Sequence, residues 1–289
     1  MIPVVHHRTT AVDGLEVFYR EAGDSRAPAV VLLHGFPASS RMFRHLIPAL
    51  ADRYHVIAPD HVGFGQSAMP SPCDFPYGFD ALTRITSGLL RRLGVDRFAM
   101  YVHGYGAPIG WRLALRDPER VTEITTQNGN AYVEGFVKPF WDGLFAYAQA
   151  PGPKTEGPVR AALTAEMIRW QYLNGVPGPS LVSPDNWVHG LVLLARPGNN
   201  DEIQLTLFRD YPTNVELCPR VQRYFRDSRV PLLAVWGASI KEFIAGLLAD
   251  RCEVCGNKGD VEVRHVRALV DLAHAGWQPS GWACVMVHR

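Results

Sequence analysis

The side chains in this sequence that could do chemistry sit beside turn-forming glycines at the ends of apolar runs. The run 29–33 leads into His34-Gly35-Phe36-Pro37, and the run 55–59 leads into Asp60-His61-Val62-Gly63-Phe64-Gly65-Gln66-Ser67. The run 98–103 leads into Gly104-Tyr105-Gly106. Taken alone, a strand ending in His-Gly is a tight turn, and a lone Asp60 is more often a turn former or helix cap than an acid. Cys252 and Cys255 form a C-x-x-C, the one cysteine pair spaced for metal or redox chemistry. Zinc generally takes four N or S ligands, so this pair is an incomplete zinc site that Cys284 and His288 are available to extend.

These residues need elements to hold them, and the apolar patterning supplies a repeating plan. β-rich runs at 15–20, 29–33, 55–59, 98–103, 121–126 and 231–236 alternate with helical patterns at 41–51, 78–93 and 107–116, the last stopped by Asp117-Pro118. Such alternation predicts an α/β fold, a mainly parallel sheet with helices on both faces. The stretch 129–229 differs, with scattered aromatics, broken helical runs and Pro-Gly punctuation at Pro151-Gly152, Pro177-Gly178 and Pro197-Gly198. It is expected to form a mostly helical inserted lid, dividing the chain into a core part at 1–128, the lid, a returning core strand at 230–237 and a tail at 238–289.

On the strand-turn segments at 34–37 and 60–67, and on the spacing between them, the chain resembles the α/β-hydrolase superfamily in its epoxide-hydrolase and haloalkane-dehalogenase-like branch, over about residues 15–237. The resemblance implies that the backbone N–H groups of Phe36 and Tyr105 form an oxyanion hole. It also places Val102-His103-Gly104-Tyr105-Gly106 at the nucleophile elbow, whose central position normally carries an Asp that attacks an epoxide or halide carbon to give an ester. That position is Gly104, which has no side chain to attack with. The branch sets a carboxylate after the 231–236 strand as W-G-x-x-D, but Trp236-Gly237 continues as Ala238-Ser239-Ile240. The alternative acid position, after 121–126, offers Gln127, Asn128 and Asn130, none of them anionic. His103 as a surrogate nucleophile is disfavoured because strand alternation turns it from the face of Gly104.

The resemblance also implies that lid tyrosines donate O–H groups to substrate oxygen, with Tyr132, Tyr172 and Tyr211 as candidates, while Trp141, Trp170 and Trp187 line an apolar pocket. Ordinary helix packing explains any one of these aromatics equally well. Asp185, Glu202 and Asp210 read as caps or turn charges.

Past Gly237 the pattern changes. An apolar helical spacing at 240–248, Cys252-Glu253-Val254-Cys255-Gly256, the run 261–266 and a late Val285-Met286-Val287-His288-Arg289 resemble the HNH-endonuclease-type C-terminal region of group II intron maturases, truncated. This implies a hydrolase frame fused to an HNH-like fragment. Arg264 stands where that family has the first of two histidines, and a guanidinium that stays protonated is no normal metal ligand. A competing reading lets the tail fill the vacant helix and strand positions of the sheet, bringing His265 or His274 near the usual position of the base.

The chain has 289 residues, 47% of them hydrophobic and 20% charged, which excludes disorder and collagen-like repetition. A formal charge of +1 supplies no global field for nucleic acid or an anionic membrane. Five cysteines without a framework and an N-terminus lacking an apolar signal core suggest a cytoplasmic protein with reduced thiols. No cofactor is expected beyond the incomplete zinc site, and the expected partner is a small apolar molecule rather than a membrane or a nucleic acid. The ancestral activity implied is hydrolysis of epoxides, alkyl halides or small esters, lost here at Gly104. The alternatives are hydrolysis through His103, His265 or His274, a non-catalytic binding protein, and a nucleic-acid-acting HNH fragment.

Overall fold

The computed structural model describes residues 3–136, 140–176, 178–197, 200–237 and 283–288. Strands β3 (Ala29–Leu33), β4 (His55–Pro59), β5 (Phe98–His103), β6 (Val121–Gln127) and β7 (Leu232–Gly237) form a parallel block in the order β4-β3-β5-β6-β7. β1 (His6–Val12) and β2 (Leu15–Ala22) extend it antiparallel beyond β4, and β8 (Ala283–His288) lies antiparallel to β7 at the opposite edge. Helices α1 (Leu46–Leu50), α2 (Phe79–Arg92) and α3 (Gly106–Arg116) connect the strands. A helical insertion between β6 and β7 contains α4 (Phe140–Gln149), α5 (Pro153–Arg160), α6 (Ala165–Leu173), α7 (Asp185–Leu194), α8 (Asn200–Asp210) and α9 (Pro212–Asp227).

The central strands read as continuous apolar runs because both of their faces are covered. Along β3, Val31 and Leu33 join the larger core with α2, α3 and the insertion, while Val30 and Leu32 join a second core with Ile47 and Leu50 of α1. β4 divides the same way, Ile57 to one side and Val56 and Ala58 to the other. The period of two in side-chain direction therefore sorts one apolar run into two cores.

Two local features differ from expectation for physical reasons. The single helix expected at 41–51 is instead a 3-10 turn, Ser40–Phe43, followed by the short α1. Pro48 has no N–H, and its ring would meet the carbonyl four residues back in a continuous helix, so α-helix begins only at Leu46, where Pro48 falls in the first turn. β1 was not foreseen. Asp13 (φ 49°) and Gly14 (φ 80°) take the left-handed conformations of a two-residue hairpin, and this Asp-Gly between β-prone residues was the available signal.

Phe79, in the first turn of α2, is fully buried and meets Tyr105 edge-on at 5.2 Å and Tyr211 at 5.5 Å. It ties the sheet, α2 and the insertion together. Phe79→Ala is expected to lower unfolding free energy by about 3–5 kcal/mol, read from the midpoint of a urea titration.

Candidate active site

β4, β3 and β5 are adjacent and parallel, so their C-terminal ends bring Asp60-His61, His34-Gly35-Phe36 and His103-Gly104 together at one edge of the sheet. Asp60 is buried and spends both carboxylate oxygens on its own surroundings. Oδ1 accepts from the Ser40 N–H at 2.7 Å and Oδ2 from the Gln66 N–H at 2.8 Å. The Ser67 hydroxyl donates to the Asp60 carbonyl at 2.7 Å and accepts from the Phe18 N–H at 2.9 Å. The D-x-x-G-x-G-x-S segment is thus a turn laced by its own polar groups, and Asp60 acts as turn former.

His34 and His61 form a buried pair with ring centroids 4.2 Å apart. His34 Nε2 accepts the His61 N–H at 3.0 Å, so its proton sits on Nδ1, which faces the Gly35 carbonyl at 3.0 Å. His61 Nε2 lies 3.1 Å from the His34 carbonyl and must donate to it, which leaves His61 Nδ1 bare, buried and without a partner among the described residues. Burial lowers both imidazoles below their ordinary range; nearby Asp60 partly opposes this for His34, and His34 itself adds to it for His61. Sequence reasoning gave His34 and His61 no such role. Their placement at the ends of two neighbouring strands was the signal that could have found them.

Gly104 occupies the elbow between β5 and α3 with φ +51°, a conformation glycine adopts without steric penalty. A Cβ built there would lie 3.2 Å from the Gly35 Cα and 4.0 Å from the Phe36 nitrogen. The direction a side chain would take is therefore toward the His34–Phe36 turn. Two residues on, a Cβ at Gly106 would stand 2.2 Å from the Leu33 carbonyl oxygen, so α3 packs on β3 at a distance that excludes any side chain. The Gly104 carbonyl accepts the Ala107 N–H at 3.0 Å, closing the turn.

Tyr105 occupies the residue before α3 without a side-chain capping bond. Its ring lies among Phe36, Phe64, Phe79 and Tyr211 at centroid distances of 5.2–6.2 Å. Its buried hydroxyl has no hydrogen-bond partner among the described residues, and burial pushes the phenol far above its ordinary range. From the insertion, Tyr211 meets Trp141 at 4.7 Å and Phe208 meets Phe36 at 6.0 Å. Tyr211 and Trp141 are therefore brought to the elbow. Tyr132 is half-buried and packs against the larger core. Tyr172 lies elsewhere, against Trp187 at 6.4 Å and beside Arg41 and Arg44, while Trp170 is 51% exposed.

Other residues singled out from sequence have structural partners. Gln127 accepts from the Tyr101 hydroxyl, the Asn128 N–H binds the Val235 carbonyl at 3.1 Å, and Asn130 Nδ2 donates to the Gly135 carbonyl. Asp210 Oδ2 accepts the Phe79 N–H at 2.7 Å and caps α2 from a distance, since Gly78 has no side chain to do so. Glu202 pairs with Arg160, and Asp185 sits in the first turn of α7. Cys252, Cys255, His265 and His274 lie outside the described residues, as do positions 238–240, where the branch's acid would follow. Cys284 and His288 fall on β8. Among the described residues no group of three or more His, Cys, Asp or Glu is placed to hold a metal, and no helix is long and apolar enough to cross a membrane.

His103 Nδ1 is buried without a partner among the described residues and lies 2.9 Å from where a Gly35 Cβ would stand. Burial, then the nearby His34, lowers its pKa to about 4, so the ring is neutral at pH 7. Unfolding returns it to the ordinary value of 6.5, so the unfolded chain binds more protons. Its contribution is complete above pH 6.5 and is lost as pH falls toward 4; His34 and His61 act in the same direction. His103→Leu is expected to shrink the loss of stability between pH 7 and 4.5 by roughly 2–3 kcal/mol, measured by urea unfolding at both values.

Comparison with known proteins agrees with this architecture. Residues 28–150 match the alpha/beta hydrolase fold family. The chain is similar to an uncharacterized hydrolase of Saccharomyces cerevisiae, 42% identical over 259 residues, covering 86% of each chain. It is 35% identical over 132 residues to a haloalkane dehalogenase of Bradyrhizobium diazoefficiens, covering 46% of this chain and 39% of that one. Epoxide hydrolase A from Mycobacterium thermoresistibile superposes with a TM-score of 0.62 at 25% identity, over 81% of this chain and 83% of its own. With its parallel block, glycine-built elbow and helical insertion, the chain belongs to the α/β-hydrolase superfamily, in the epoxide-hydrolase and haloalkane-dehalogenase-like branch.

Proposed function

We propose that this chain binds a small apolar molecule at the elbow but does not hydrolyse it through a covalent intermediate. The observation that carries the reading is Gly104, held at φ +51° where the branch's nucleophilic carboxylate would project. In that chemistry a carboxylate oxygen attacks carbon and the bond from that carbon to halogen or epoxide oxygen breaks, releasing halide or leaving the oxygen, once protonated, as a hydroxyl on the neighbouring carbon; water then opens the resulting ester. A hydrogen in place of the carboxylate removes the first step, and the later steps have nothing to act on.

What remains supports binding. The Phe36 and Tyr105 N–H groups are the oxyanion-hole donors in this reading, orienting a polar oxygen of the ligand. Tyr105, Tyr211 and Trp141 give it an aromatic wall. The relatives named as a dehalogenase and an epoxide hydrolase support a ligand of haloalkane or epoxide type. His103 is a poor substitute nucleophile in this reading because its ring is buried beside the Gly35 turn, where a Cβ on Gly35 would stand 2.9 Å from its Nδ1. For the tail we keep the HNH-derived origin as our reading. The pairing of β8 with β7 supports a part of it serving as an edge strand of the hydrolase sheet.

The test is intact-protein mass after incubation with 1,2-epoxyhexane and with 1-bromohexane, alongside turnover of both and of an aryl ester. Wild type is expected to show no adduct and no turnover above buffer, since losing a nucleophile costs on the order of 10⁴-fold or more. Gly104→Asp is expected to gain the mass of one alkyl ester. Adduct formation or turnover by wild type well above buffer would overturn the proposal.

A further inference from the structure

A cleft of about 300 Å³ opens between the 3-10 turn after β3 and helices α6 and α7, and its lining does not include Gly104, Tyr105 or Tyr211. The core contributes Arg41, Arg44 and His45; the insertion contributes Tyr172, Asn186 and His189; no carboxylate side chain lines it. Arg8, Arg26 and Arg160 each sit against a carboxylate, but Arg41 and Arg44 have none among the described residues. Arg41 Nη1 makes only a 3.4 Å contact with the Asp185 carbonyl, while Arg44 donates through Nη2 to Asn186 Oδ1 at 3.0 Å and through Nη1 to the Arg41 carbonyl at 3.5 Å. Both arginines are partly buried and make no ion pair among the described residues. Burial and then the positive field of Arg41 lower His189, a second sign that the cleft is electropositive.

We propose that this cleft is a binding site for a phosphate group. Two guanidinium forks approaching from one wall match the paired oxygens of a phosphate dianion. Tyr172 and Asn186 offer hydrogen-bond donors from the other. The volume exceeds what a bare phosphate fills, and Met42 provides apolar surface for an attached organic group, which suits a phosphomonoester. The site is joined to the elbow's neighbourhood through α7, because a Cβ at Gly190 would stand 3.2 Å from the Pro37 carbonyl, next to Phe36. An occupant bridging Arg41 and Tyr172 would fasten the insertion to the core.

Calorimetric titration of the full chain with inorganic phosphate and with phenyl phosphate, at constant ionic strength, tests this. One saturable site per chain is expected, weakened about tenfold or more in Arg41→Gln and in Arg44→Gln but unchanged in Arg220→Gln on a different surface. Arg41→Lys, which keeps the charge and loses the fork, is expected to fall between, and each variant's melting curve establishes that it is folded. Equal affinity for both ligands identifies free phosphate; tighter binding of the ester identifies a phosphomonoester. No saturable binding of either ligand, or wild-type affinity in both glutamine variants, would overturn the proposal.

Discussion

The contact on which the rest of this molecule depends is the approach of α3 to the end of β3. The Leu33 carbonyl lies where a Gly106 side chain would be, so the helix start presses directly on the strand. That contact sets the height of the elbow, and the elbow conformation at Gly104 follows from it. With β3, β4 and β5 in parallel register, three turns then converge within the space of a few residues. The elbow of the fold is present, with glycine at its centre.

Around that elbow the polar groups serve structure. Asp60 is saturated by backbone N–H groups, and His34 and His61 exchange hydrogen bonds with each other's main chain. Burial favours the neutral imidazoles in this lattice and outweighs the opposing field of Asp60 at His34. Acid therefore acts on the same groups that tie together the turns after β3 and β4.

Two of the insertion's contacts with the core differ in chemistry. At the elbow the contact is aromatic, Tyr211 and Phe208 against Tyr105, Phe79 and Phe36. Beside the 3-10 turn it is electropositive, with arginines from the core facing an imidazole and a phenol from the insertion. The two seams of one insertion therefore differ in polarity and charge.

The strands were legible in the chain because burial on both faces demands unbroken apolar runs, and the bounds of β3, β4 and β5 follow directly from those runs. That the elbow's central position carries no side chain was legible as well, since residue 104 is glycine whatever the packing. The 3-10 turn at Ser40–Phe43 was not: its polar backbone is tied to Asp60, 20 residues away, and Pro48 shifts the helix start. Nor could sequence separate Tyr211, which reaches the elbow, from Tyr172, which lies by Arg41 and Arg44; both are aromatics in broken helices. Local pattern determines which residues must be buried, because period and apolarity act over a few positions. Which buried or charged residues meet is decided only when distant segments pack, and the pairing of His34 with His61 and the facing of Arg41 with His189 are settled at that level.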